Sequence, residues 1–447
     1  MGKYQAYPEY KDSGVEWIGD IPKEWELWKL THAYEEIGSG TTPPSESDEW
    51  YGGNVPWVTT GELREKEIYS TAKNVTDDAL RRFTALRKFP KGSIAIAMYG
   101  ATIGRLGVFG VEATTNQACC VLTKSNVVDN HYLYYWLQAF RQDIVNLASG
   151  GGQPNINQEV VASLKISCPA KSEQKIIVSF LDNETAKIDT LIDKQQQLIQ
   201  LLKEKRQAAI SHAVTKGLNP NAPMRDSGVE WLGEVPEHWD ITYIKHLSVV
   251  KRGASPRPID DPRYFDESGD YAWVRIADVS RAGMYLTATT QRLSNLGSSL
   301  SVKLEADELF VSIAGTVGKP CITVSRACIH DGFVYFPELK INNKYLYYIF
   351  EAGEAYLGLG KMGTQLNLNT ETVGGIKIGL PPSSEIENIV FFIEKSNEKY
   401  DFLINKADEF IKLMQERRTA LISAAVTGKI DVRDWQVPAL MQNKEAV

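Results

Sequence analysis

The sequence predicts an α+β protein made of two tandem, pseudo-symmetric mixed α/β domains. Each is followed by a long helix, and the two helices form an antiparallel coiled-coil spacer. Three observations carry this prediction. An internal repeat runs through the chain, each copy alternates strand-length apolar runs with glycine loops, and each copy ends in a long amphipathic run without Pro or Gly. The expected division is 1–175 for the first domain, 176–216 for the central helix, 217–385 for the second domain, 386–428 for the distal helix and 429–447 for a tail.

The repeat opens both copies. Asp12-Ser13-Gly14-Val15-Glu16-Trp17-Ile18-Gly19-Asp20-Ile21-Pro22 returns as Asp226-Ser227-Gly228-Val229-Glu230-Trp231-Leu232-Gly233-Glu234-Val235-Pro236, and Trp25 returns as Trp239, an offset of 214 (239 − 25). Tyr99-Gly100-Ala101-Thr102-Ile103-Gly104 parallels Ile313-Ala314-Gly315-Thr316-Val317-Gly318, and Tyr132-Leu133-Tyr134-Tyr135 parallels Tyr345-Leu346-Tyr347-Tyr348. Gln153-Pro154-Asn155-Ile156-Asn157 parallels Gln365-Leu366-Asn367-Leu368-Asn369. By Ala213-Val214-Thr215 and Ala425-Val426-Thr427 the offset has drifted only to 212 (425 − 213), so the copies differ by short loop insertions. Residues 60–95 and 276–310 share little beyond a strand-like pattern. A common frame with a divergent interior suggests one scaffold carrying two different binding faces.

Within each copy, Ile94–Tyr99 and Leu309–Ile313 read as strands ending in glycine loops, and Trp57–Thr60 and Trp273–Ile276 as strands before the divergent segments. Short helices are expected over Asp129–Asn146 and Asn342–Ala355. From Leu181 to Val214, Ile188, Leu191, Gln195, Leu198 and Leu202 make one narrow stripe at 3-4 spacing, matched by Tyr400, Leu403, Ala407, Phe410 and Met414. A helix of about 33 residues is ~50 Å long, more than the width of a small domain. The opposite faces are charged (Lys203, Glu204, Lys205, Arg206; Glu416, Arg417, Arg418), so the two stripes are expected to bury each other. Gly217, Asn219 and Pro220 end the first helix.

Composition narrows the classes. The chain has 447 residues, enough for two or three domains, with the hydrophobic (43%) and charged (23%) content of a soluble globular protein. Its start is polar and aromatic, without a secretory pattern, and no apolar run is long enough to span a membrane. The five cysteines, Cys119, Cys120, Cys168, Cys321 and Cys328, suit neither a zinc site nor a disulfide framework. A reducing cytoplasm is the expected address. The net charge of −7 weighs against a surface that is basic all round, but leaves room for a basic face on an acidic body.

The candidate binding residues are cations and amides of the divergent segments and glycine loops. Gly100–Arg105 and Gly315–Lys319 each combine glycines, a threonine (Thr102, Thr316) and a trailing cation (Arg105, Lys319), a set that can meet a phosphate or simply make a tight turn. Arg64, Lys66, Arg81, Arg82, Arg87 and Lys88 lie in the first divergent segment; Lys251, Arg252, Arg257, Arg263, Arg275, Arg281 and Arg292 lie in or beside the second. Arg and Lys grip phosphate and read guanine, whereas amides such as Gln153, Asn155 and Gln365 suit adenine. Any one of these charges taken alone is more simply a solvated surface residue. Catalytic patterns are missing: there is no Walker A loop, no N-P-P-[FY] or glycine-rich adenosylmethionine loop, no G-x-S-x-G elbow and no H-x-x-x-H pair, and Asp260-Asp261 before Pro262 reads as a turn.

In combination, these residues resemble the specificity subunit of type I restriction-modification systems over nearly the whole chain. The resemblance rests on D-S-G-V-E-W-[IL]-G-[DE]-[IV]-P at both domain starts and on Gln153-x-Asn155-Ile156 before Lys165-Ile166. The Pro169, Glu173, Gln174 step and the Ala-Val-Thr helix ends complete it. Ile386 where the first copy has Gln174, and Ala424 where it has His212, are departures. The resemblance implies a non-catalytic subunit that recognises a bipartite target in double-stranded DNA, with the helices as a ruler between half-sites. It also implies two methyltransferase subunits and restriction (endonuclease/translocase) subunits as partners. Those partners would use S-adenosylmethionine, ATP and Mg, this chain would bind no cofactor or metal itself, and no membrane would be involved. Two other readings fit the bare pattern: an interaction protein with two β-rich modules on a coiled-coil strut, and a DNA-binding regulator acting without a methyltransferase.

Overall fold

A computed structural model describes residues 4–147, 155–357 and 368–436. The chain forms two compact units, residues 1–195 with 409–447, and residues 196–408. Each unit therefore contains one module, the start of the helix that follows it and the end of the other long helix.

Unit 1 holds a five-stranded sheet in the order 37–39, 119–122, 94–97, 106–109, 66–68. Its last strand runs parallel to its neighbour (Lys66 beside Gly107), and the others are antiparallel. A second sheet centres on Tyr51–Val58, with Thr114–Thr115 parallel to it and Asn74–Val75 antiparallel. Unit 2 repeats the plan: 251–252, 333–335, 309–312, 320–323, 285–286, again with a parallel last strand. Its second sheet centres on Tyr271–Val274, parallel to Ala327–Ile329, and adds the strand Val302–Leu304. The strand expected over Trp273–Ile276 stops at Val274, because Asp278 accepts a hydrogen bond from the Arg275 N–H and Ile276–Arg281 turns helical. Five of the six interior strands of these sheets, 94–97, 106–109, 119–122, 309–312 and 320–323, are buried throughout, as continuous apolar runs require.

The short helices expected near 129–146 and 342–355 are Asn130–Ala139 with Arg141–Asn146, and Asn343–Ala352, capped by Asp129 and Asn342. They sit against a strand pair that the sequence did not announce. Glu26–Lys29 joins Lys165–Cys168, and Asp240–Tyr243 joins Lys377–Leu380, each closing a loop of more than a hundred residues.

The long helices are longer than expected, Lys171–Lys216 (46 residues) and Ser383–Val426 (44 residues). At 1.5 Å per residue the first is about 70 Å long. They begin early because Pro169-Ala170 and Pro381-Pro382 set up the first turn, where the Ala170 and Pro382 carbonyls accept from Glu173 and Glu385. They end at Gly217 (φ 73°) and Gly428 (φ 71°), left-handed positions that favour glycine.

The repeated opening motif finds its purpose here. In unit 1, the fully buried Trp25 donates from Nε1 to Glu173 of the first helix (2.9 Å), and a side chain at Gly428, past the end of the second helix, would collide with Pro22. In unit 2, Trp239 donates to Glu385 (3.1 Å), and Gly217 lies against Trp239 and Pro236. Each tryptophan thus clamps a helix start to a helix end. Tyr132 repeats the arrangement by donating to the carbonyls of Ser167 (2.9 Å) and Val426 (3.2 Å), as Tyr345 does to those of Gly379 (2.9 Å) and Val214 (3.4 Å). Within each unit the helix segments run in opposite directions. Asp189 pairs with Arg418 (3.0 Å) in unit 1, and Asp401 with Arg206 (2.7 Å) in unit 2, residues related by the repeat offset of 212 (401 − 189 and 418 − 206).

The stripe needs a correction. Ile188 and Leu202 are buried and Ile192, Gln195 and Ile199 half-buried, while Leu191 (42%) and Leu198 (43%) are exposed. On the second helix Tyr400, Ala407, Phe410 and Met414 turn at least partly inward as expected, while Leu403 faces outward and Ile404 is half-buried beside it. Both spacings are 3-4, so the sequence allowed either register.

Candidate nucleic-acid interface

The glycine loops are built as expected. Gly100, Gly104, Gly315 and Gly318 all have positive φ (79°, 75°, 69° and 80°), which lets each loop reverse between adjacent strands. Asn155 bridges to Tyr99 and so lies beside the first loop. Gln153 and Gln365 fall outside the described residues.

The trailing cations behave differently. Arg105 is half-buried with no ion pair among the described residues. Lys319 donates to the carbonyls of Ser280 (3.1 Å) and Ala282 (2.8 Å), at the C-terminal end of the 276–281 helix, and Thr316 bonds Ser280 (2.7 Å). A cation there is stabilised by the helix dipole and unsatisfied carbonyls. Lys319 and Thr316 thus hold a helix end in place.

The other candidates divide in the same way. Arg263 forks onto Asp261 (2.6 Å), Arg281 pairs with Asp278 (3.0 Å), and Arg292 donates to the carbonyls of Gly269 and Asp270. Asp261 also accepts from the Arg263 N–H and caps the turn after it, so Asp260-Asp261 folds as a turn. Arg87 pairs with Glu36 (2.8 Å) and stacks on Phe89, and Lys88 pairs with Glu112 (3.3 Å). Arg64 donates to the Gly61 carbonyl (3.0 Å) and Arg81 pairs with Asp78 on its own short helix (3.0 Å). Lys66, Arg82 and Lys251 are exposed, without an ion pair among the described residues. Arg87 lies against Gly38, where a side chain would strike its guanidinium. Lys251 holds the matching strand position in unit 2, so both modules place a cation at this edge from different parts of the sequence.

One cluster was only partly anticipated. Beyond the strands 271–274 and 327–329, Asp331 gathers Ser255 (2.9 Å), Arg257 (3.1 Å) and, through its carbonyl, Arg252 (2.5 Å). Arg275 donates to Gln291 close by on the neighbouring strand. Burial alone would raise the Asp331 carboxyl, but the Ser255 hydroxyl, a backbone N–H and Arg257 bring it below the usual carboxylate range. His330 sits between Trp273 and Phe333 (5.9 and 4.6 Å) and accepts from the Gly332 N–H (2.8 Å). Burial depresses its pKa, Asp331 opposes that, and Arg275 and Arg252 add to the depression. His330 and Asp331 carry no motif that would have found them.

Among the described residues, no group of three or more His, Cys, Asp or Glu is placed to hold a metal, and no helix is long and apolar enough to cross a membrane. The five cysteines are buried and unpaired, and burial raises every thiol, Cys120, Cys168 and Cys321 to about 12 and Cys328 to about 11. These are inert packing groups.

The family described as type I restriction modification DNA specificity domain matches this chain twice, over residues 22–201 and 236–409. The MjaVIII type I restriction enzyme specificity subunit of Methanocaldococcus jannaschii is 21% identical over 432 residues, 93% of this chain and 95% of that protein. The MjaIX specificity subunit of the same organism is 28% identical over 209 residues, so that the chain spans about half of its length (46%). The EcoR124I/EcoR124II specificity subunit of Escherichia coli is 27% identical over 190 residues, 41% of this chain and 43% of that protein. Among solved structures, one chain from work on assembly and conformational transition of the type I R-M system superposes with a TM-score of 0.72 at 15% identity, covering 92% of this chain and 99% of that one. The HsdS subunit from Thermoanaerobacter tengcongensis gives 0.55 at 15% identity, covering 92% and 98%. At that identity the two structural likenesses concern the fold.

Proposed function

This chain belongs to the type I restriction-modification DNA specificity family, and from that premise we propose that it chooses the DNA site for a larger restriction-modification complex. Each module reads one half of a bipartite duplex target, and the paired long helices set the separation of the halves. The observation that carries this reading is the duplication: one hydrogen-bonded frame occurs twice, and the exposed polar groups mounted on it differ. A single-site reader or a plain strut has no use for two such faces.

In this reading the chemistry belongs to partners. Two methyltransferase subunits bring S-adenosylmethionine, and restriction subunits bring ATP- and Mg-dependent translocation and cleavage. Leu191, Leu198 and Leu201 on the first helix and Phe391, Phe392 and Phe402 on the second are exposed, and they supply apolar surface for a docked subunit. Partners that add basic surface also account for a DNA reader with a net charge of −7.

The test is duplex binding by the full chain with and without its methyltransferase subunits. Sequence-specific binding that depends on the partner is expected; failure to co-purify with any methyltransferase overturns the reading. Inserting seven residues near Gln196 should lengthen the unread spacer and leave both half-sites intact, whereas exchanging residues 20–170 should change one half-site only.

A further inference from the structure

The two modules share a corner whose skeleton is the same and whose side chains are not. In each, a small hydroxyl residue bonds the side chain that follows the parallel strand: Thr42 to Gln117 (2.6 Å) in unit 1, Ser255 to Asp331 (2.9 Å) in unit 2. In each, the residue after the central strand has its N–H capped by a carboxylate three residues on: Thr59 by Glu62 (2.8 Å), Arg275 by Asp278 (3.1 Å). Glycine is needed at the same point, since a side chain at Gly40 would strike the Thr115 carbonyl, and one at Gly253 those of Ile329 and His330. Onto this common skeleton unit 1 mounts Asn116 and Gln117, and unit 2 mounts His330 and Asp331 with Arg252, Arg257 and Arg275.

We propose that this corner is the base-reading set of each module, and that unit 2 uses Arg252, Arg257 and Arg275 to read guanine while unit 1 uses Asn116 and Gln117 to read adenine. The inference rests on the DNA-site function proposed above and adds the class of base that each half-site requires.

The chemistry decides between this and a structural role. Guanine presents two acceptors in the major groove, O6 and N7, which a guanidinium meets with paired N–H donors; adenine presents one donor and one acceptor, which suits an amide. The Arg257–Asp331 pair is exposed (72% and 42%), and such pairs contribute little to stability. What the pair does is hold a side chain with costly rotamer freedom in one orientation. Arg252 is held through Nε alone, which leaves both terminal nitrogens available, and Arg275 is fixed by Gln291. Donors held in advance, at an exposed corner and with unused N–H groups, are what selective readout needs. In unit 1, the Gln117 carbonyl oxygen accepts from Thr42 and the Asn116 oxygen from the Ala118 N–H (3.1 Å); each oxygen keeps a second lone pair to accept with, and both amides keep their N–H groups to donate.

The experiment selects binding sites from a randomised duplex library, using the full chain with its methyltransferase subunits, and repeats the selection with R252A, R257A, R275A and, in the other module, N116A and Q117A. The arginine variants should each lose at least about fivefold discrimination at a G·C position of one half-site and leave the other half-site unchanged. The amide variants should relax an A·T position of the opposite half-site. If the arginine variants weaken all sequences equally and lower the salt dependence of binding, these residues grip phosphate and the inference is overturned. Selection that persists unchanged in all five variants also overturns it while leaving the site-choosing function standing. Absence of sequence preference in the unmodified complex overturns both. Should one arginine variant misfold, the remaining variants and the amide pair carry the same comparison.

Discussion

Tyr132 and Tyr345 stand 213 residues apart (345 − 132) and do the same thing: each phenol lies deep in its unit and donates to a carbonyl of the closing strand region and to one near the end of a long helix. Gln117 and Asp331, 214 apart (331 − 117), do different things on an equally matched backbone: the neutral amide accepts from Thr42, whereas the carboxylate accepts from Ser255 and pairs with Arg257. Where the two modules agree, the groups are buried and hydrogen-bonded, and a change costs folding energy in either copy. Where they disagree, the groups are half-buried or exposed at one corner. Duplication has kept the frame and released the face.

This comparison can be broken most forcefully at the clamps. Trp25→Ala and Trp239→Ala each empty a fully buried indole site and remove a hydrogen bond to Glu173 or Glu385, so each should destabilise its own unit by about 3–5 kcal/mol. Denaturant unfolding followed separately in the two units would test the equivalence; a large loss from one and almost none from the other would deny it.

A smaller effect is expected from Tyr132→Phe and Tyr345→Phe. Each removes a hydroxyl whose carbonyl partners are buried, at a cost of about 1–3 kcal/mol. Matching losses would sharpen the pseudo-symmetry, and a silent substitution in either copy would count against it.

The two faces should part company with pH. His330 is held mainly by burial below the ordinary histidine value near 6.5, and Asn116 stands at its place in unit 1. Because the folded pKa is the lower one, the unfolded chain takes up this proton first as pH falls. Unit 2 therefore loses stability as pH drops through about 6.5, until the depressed folded value is passed. His330→Asn should remove that part of the acid sensitivity, read as melting temperature against pH; an unchanged pH profile would refute it.

The smallest effect belongs to the helix ion pairs. Asp189→Asn and Asp401→Asn break solvent-facing contacts to Arg418 and Arg206 and should each cost no more than about 1 kcal/mol, less at high salt. Thermal melts at low and high salt would show this.

Much of this architecture is legible in the chain itself. The repeat follows from residue identity, the central strands from local apolar runs, and the long helices from a stretch without Pro or Gly, since these signals are local. The candidate site was less legible. Lys319 and Arg105 look alike in sequence, yet Lys319 caps a helix end lying 37 to 39 residues earlier, and Asp331 emerges as a hub only through Arg252, Ser255 and Arg257, more than 70 residues away. Charge and spacing say that a cation exists, not what it touches.

Sequence by itself determined that there are two modules, that they share a frame, which family they belong to, and that each ends in a long helix. Tertiary structure decided the rest. At Leu191-Ile192 and Leu198-Ile199 two neighbouring apolar residues offer the helix a choice of stripe, and packing turned the isoleucines inward and left the leucines exposed. It also gave the opening motif its role, because Trp25 meets Glu173 and Gly428 only after the two ends of the chain come together. The physical reason is the same in each case. Periodicity and composition are properties of neighbours along the chain, whereas register, clamps and buttressed arginines are set by partners that are near only in space.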